Sequence, residues 1–109
     1  MSSRVLFGWG VVACLAVLAA CGSSQYPHAT PADVAKAQKH RAGVTLDDLE
    51  KGRSLYLSRC GGCHQLIDPK SVAADQWPHE VEQMREQANL DAKQVDLLVT
   101  YLVTQSTPP

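Results

Sequence analysis

Apolar and polar positions divide this chain into one unbroken apolar run and several amphipathic stretches at helical spacing. Val5 to Ala20 carries no charge and follows a short start that contains Arg4. The run begins at the N-terminus, falls just short of the ~20 apolar residues of a bilayer span, and ends in small residues. It therefore predicts a removable export signal over residues 1–20. Thr30 and Pro31 open a short helix that is expected to close at Gly43. Thr45 caps a second helix from Leu46 to about Arg59, with Asp47, Asp48 and Glu50 near its positive end and Leu49, Gly52 and Tyr56 on one face. A third helix starts around Trp77 with Pro78 at its first position and Glu80 in its first turn; Trp77, Val81, Met84 and Ala88 share its apolar face. Asp91, with Gln94 three residues on, forms a capping box for a last helix through Val95, Leu98, Val99, Tyr101 and Leu102 towards Thr104. No stretch competes as a strand, so the fold class is all-α.

The 109 residues leave room for one small domain. Between the apolar run and Thr45 lies a polar, proline-containing stretch over residues 21–44, which reads as a tether with a short helix. Its Lys36, Lys39 and Arg41 outnumber Asp33, so it could rest on anionic lipid, although a solvated linker is the simpler reading. Residues 45–109 form the domain. Ten basic residues against eleven acidic ones give a net charge of −1, and no basic stripe offers itself to phosphates, so nucleic acid is not an expected partner. A core built from fewer than ~90 residues leans on a disulfide, a metal or a cofactor.

The cysteines indicate which. Cys60-Gly61-Gly62-Cys63-His64 has the C-x-x-C-H spacing of covalent haem attachment. Two thiols two residues apart can each add to a vinyl group of one porphyrin, and the next residue offers an imidazole to the iron. Two glycines keep the intervening turn uncrowded. A thioredoxin-like redox pair would need a βαβ pattern that this chain lacks, and a zinc site would need more ligands at paired spacing, whereas no cysteine follows Cys63. A Cys60–Cys63 disulfide would close too small a loop to stabilise much. A second axial ligand would come from Met84, the one methionine beyond the signal, with 19 residues between it and His64. His79 lies off the Met84 stripe, and His28 and His40 belong to the tether.

Two resemblances extend this reading. Leu18-Ala19-Ala20-Cys21 resembles the lipobox of bacterial lipoproteins, which implies cleavage before Cys21, acylation of that residue, and a mature protein that sits on a membrane without crossing it. From Thr45 to Thr104 the chain resembles the class I c-type cytochromes. That implies a small helical fold wrapped around one haem c held by Cys60 and Cys63, with iron bound by His64 and Met84. It implies a crossing of the first and last domain helices at Gly52 and Tyr101. It also implies that the Pro69 carbonyl accepts from the iron-bound imidazole and that the Trp77 indole donates to a haem propionate.

The implied function is single-electron transfer between redox protein partners at the bacterial cell envelope, facing the periplasm, by a monomeric carrier that is not an enzyme. Gly22 in place of an aspartate after the lipidated cysteine leans weakly towards the outer membrane. Six acids against Arg85 and Lys93 over residues 71–109 favour a basic partner face. Two alternatives stay open: a haem-bearing subunit of a larger oxidoreductase, and a haem-based ligand sensor in which Met84 is not on the iron.

Overall fold

A computed structural model describes residues 25–62 and 65–109, and every regular element among them is helical. The helices are α1 (Pro31–Gln38), α2 (Leu46–Leu55), α3 (Trp77–Met84) and α4 (Ala92–Ser106). A π-turn (Tyr56–Cys60) continues α2 without a break, and two single 3₁₀ turns (Pro69–Ser71 and Ala74–Gln76) lead into α3. Among the described residues no helix is long and apolar enough to cross a membrane. The signal over residues 1–20, Cys21, Cys63 and His64 lie outside the described residues.

Three of the four helices begin at a complete capping box. Thr30 with Asp33, Thr45 with Asp48, and Asp91 with Gln94 each exchange a side-chain and a backbone hydrogen bond, so two orphan amides are satisfied at each start. The bond to Thr45 holds the Asp48 carboxyl below its usual range.

The helix ends differ from expectation. The first helix stops at Gln38 instead of running to Gly43. The chain tightens there, with the His40 and Arg41 amides both bonding the Ala37 carbonyl. Gly43, at φ +80°, then turns it so that Val44 is buried with Ala37 and Leu49. The second helix keeps α-geometry only to Leu55, and its last turn widens into the π-turn that ends at Cys60. Such widened turns have no signature of periodicity, because one residue is added to a single turn. The third helix starts at Trp77 itself, with Pro78 second. The last continues past Thr104 to Ser106.

The main core is built where α2, α3 and α4 meet, from Tyr56, Trp77, Val81, Leu98, Tyr101 and Leu102, with Leu90 closing one side. The α2–α4 crossing is its backbone. A Cβ on Gly52 would stand 2.3 Å from the Leu97 carbonyl oxygen and 2.7 Å from Tyr101 Cβ, so only glycine permits this approach.

Residues 25–44 are not a solvated tether. The Tyr26 carbonyl accepts from Arg53 Nε at 2.8 Å, the Pro27 carbonyl accepts from Tyr101 Oη at 3.0 Å, and the Ala29 amide donates to Glu50 Oε1 at 2.6 Å. His28, exposed as expected of it, nevertheless meets Glu50 Oε2 at 3.0 Å, and this partner holds the Glu50 carboxyl below its usual range. Lys36 Nζ caps the end of α4, donating to the Thr107 carbonyl at 2.9 Å and the Thr104 carbonyl at 3.4 Å, where the helix dipole favours a cation. Arg41 pairs with Asp96. Two of the three basic groups of this stretch, Lys36 and Arg41, therefore have partners inside the fold. The strap is legible as a tether because it is polar; it is ordered because its backbone groups find side-chain partners on α2 and α4.

Candidate functional site

The site begins with the π-turn. Tyr56 opens it and is buried; Cys60 closes it, half-buried, four residues on. Of the two glycines that follow, one answers a steric need: a Cβ on Gly61 would lie 2.8 Å from the Leu57 carbonyl, whereas one on Gly62 would meet nothing within 4 Å. Cys60 faces an apolar cleft of about 190 Å³, and Met84, the last residue of α3, lines the same cleft. Buried Val81, Trp77 and Leu98 form its wall, and Glu80 places the one carboxylate of its lining beside Met84. Thus the structure brings together Cys60, Met84 and Trp77 of the residues predicted for the site. The helical stripe Trp77–Val81–Met84 does turn towards the cleft.

Arg59 fixes the spacing between the two ends of the cleft. Its guanidinium donates to the Asn89 carbonyl at 3.0 Å and the Ala88 carbonyl at 3.2 Å, tying the π-turn to the chain just after α3. That chain reverses at Asn89, which adopts φ +53°, a left-handed conformation that asparagine tolerates better than most residues. The Ala88 amide still bonds the Met84 carbonyl at 2.9 Å, so Met84 is held from both sides.

Pro69 and Trp77 meet each other at the edge of the cleft. Trp77 Nε1 donates towards the Pro69 carbonyl at 3.1 Å and Ser106 Oγ at 2.6 Å, and Ser106 Oγ lies 2.6 Å from the same carbonyl. The Val72 amide reaches the same carbonyl at 3.4 Å. His79 meets Gln83 at 2.9 Å on the exposed side of α3, away from the cleft.

Sequence reasoning missed Tyr26 and Ser106. Tyr26 Oη donates to the Leu66 carbonyl at 2.9 Å, while Tyr56 Oη donates to the Ile67 carbonyl at 2.5 Å. A lone aromatic beside a proline in an otherwise polar run was the available signal for Tyr26. A serine in the last turn of a helix carries none.

Burial raises the phenols of Tyr56 and Tyr101 to about 12, against the nearby Arg53 charge in the second case. Both pKa values are raised by folding, so the fold favours the neutral phenol. The associated stability is complete below the unfolded value near pH 10 and is lost as pH climbs towards 12. A spectrophotometric titration should show Tyr56 and Tyr101 still protonated at about pH 11 in the folded protein, with urea resistance falling between about pH 10 and 12.

The residues present suit a flat apolar macrocycle. The cleft is walled by aliphatic and aromatic side chains, with a thioether on α3 and, at one side, the thiol of Cys60, the first residue of the C-x-x-C-H segment. Its volume is below the ~300–1,000 Å³ usual for small-molecule sites, so such a group would be only partly enclosed. No protein-family model, curated protein or solved structure matches this chain.

Proposed function

We propose that this chain is a monohaem c-type cytochrome, lipid-anchored at Cys21 on the periplasmic side of a bacterial envelope membrane, that carries single electrons between protein partners. The observation that carries the reading is the juxtaposition of C-x-x-C-H with an apolar cleft that Cys60 and Met84 both line. Cys60 and Cys63 would hold the porphyrin through thioether bonds, and His64 and Met84 would ligate iron. Bound haem supplies a one-electron Fe(III)/Fe(II) couple with both axial ligands retained.

The protein's own part is mechanical and electrostatic. The α2–α4 crossing and Arg59 hold the Cys60 turn at a set distance from α3, which limits rearrangement when the charge changes. Val81, Leu98 and Trp77 keep water from the wall of the cleft and lower its dielectric. Glu80 puts negative charge near its lining, alongside the acidic excess over residues 71–109, which suits transient docking to a basic partner.

Because the strap is pinned at Tyr26, only four residues separate Cys21 from the globule, five steps that span about 17 Å when extended. The domain would therefore ride close to its membrane instead of swinging on a long leash. A potentiometric titration of the mature protein followed by absorbance tests the carrier reading: it should give one single-electron wave, with no carbon monoxide adduct in the ferrous state. A native protein that binds carbon monoxide readily would be a sensor, and one that purifies only within a larger assembly would be a subunit.

A further inference from the structure

We infer that Tyr26, Tyr56, Trp77 and Ser106 act together as positioning residues for His64, by clamping the backbone that follows it. The inference rests on the haem reading above for its functional meaning, and on hydrogen bonds among described residues for its geometry.

All four carbonyls from Leu66 to Pro69 receive side-chain donors: that of Asp68 is met locally by Ser71 Oγ at 2.7 Å, and the other three are met from four separate parts of the fold. Tyr26 of the strap takes Leu66, Tyr56 of the π-turn takes Ile67, and Trp77 of α3 with Ser106 of α4 takes Pro69. Loop carbonyls at a surface are ordinarily left to water. Here they are held largely by rings with two side-chain torsions each, which lose little freedom on binding.

The rings also brace one another. Tyr26 and Tyr56 meet edge-to-face at 5.7 Å and 69°, and Tyr56 and Trp77 at 6.1 Å and 79°. Ser106 has one hydroxyl proton to give, to Pro69 or to the Leu102 carbonyl at 2.7 Å, while its oxygen can accept from Trp77. The clamp therefore runs from the strap, through the π-turn that ends at Cys60, to the wall of the cleft. It fixes the chain two, three and five residues after His64. These bonds restrain the backbone immediately downstream of His64.

The test compares Tyr26→Phe, Tyr56→Phe and Ser106→Ala with Val44→Ala, which loosens the separate Ala37–Val44–Leu49 cluster. Phenylalanine keeps the ring contacts and removes only the hydroxyl. Amide hydrogen exchange over Gln65–Val72 should quicken by about fivefold in each clamp variant, the loss expected for one hydrogen bond, and stay at the wild-type rate in Val44→Ala. The ferric electron paramagnetic resonance spectrum reads the ligand geometry directly: the clamp variants should show broadened or doubled low-spin signals, and Val44→Ala should not. Unchanged exchange in all three clamp variants would overturn the clamp. Faster exchange with an unchanged spectrum would overturn its positioning role. A wild-type protein with no haem signal at all would instead overturn the haem reading, while the exchange data would still decide whether the clamp exists.

Discussion

Gly52→Ala should lower stability by about 2–3 kcal/mol and bring the urea midpoint down by roughly 1 M or more. The added Cβ would fall 2.3 Å from a backbone oxygen of α4 and 2.7 Å from the Cβ of Tyr101, neither of which can rotate away. Relief requires the two helices to move apart, which opens the main core at the point where Tyr101 and Leu102 are wholly buried. Alanine gains about 1 kcal/mol over glycine in helix propensity, which softens the loss without reversing it. Against a total of ~5–15 kcal/mol for a domain, the remainder is a large share. Gly62→Ala is the matched control, since its Cβ would meet nothing within 4 Å; it should stay within about 0.5 kcal/mol of the wild type.

The second large effect is electronic. Met84→Ala should lower the midpoint potential by on the order of 100 mV or more, within the ~0.8 V range that axial ligands govern, and should let the ferrous protein bind carbon monoxide. Met84 is half-buried at the end of α3, so its truncation removes little of the core, and the fold should survive. Val81→Ala separates the two roles. It thins the same wall one turn earlier and should cost stability while leaving the potential near that of the wild type. A Met84→Ala protein whose potential and carbon monoxide behaviour match the wild type would remove Met84 from the ligand set.

Much of the architecture was legible because it is encoded locally. The three capping boxes sit at Thr30, Thr45 and Asp91, where a side chain three residues on completes each one; the close approach of Gly52 to Tyr101 was expected only from the resemblance, since it joins residues far apart in the chain. What escaped the sequence depends on partners far along the chain. The strap over residues 25–44 reads as linker because its own side chains are polar, yet its order comes from Arg53, Glu50 and Tyr101, more than twenty residues away. The π-turn leaves no periodic trace between Leu55 and Gly61.

The site divides in the same way. Cys60 and Met84 were found from spacing and from the apolar stripe, and both line the cleft. The joint engagement of Pro69 by Trp77 and Ser106 was not legible, since it joins a loop, a helix start and a helix end 37 residues apart. Its consequence is that the indole and the carbonyl hold the fold together at the edge of the cleft.

Covalent haem attachment is tested most directly by the mass of the mature chain. Produced in bacteria competent for cytochrome maturation, denatured and freed of non-covalent ligands, the protein should remain coloured and weigh one haem more than the polypeptide with its lipid, a mass that a Cys60→Ser, Cys63→Ser variant loses. A colourless chain of plain polypeptide and lipid mass, with both thiols open to alkylation, would contradict it.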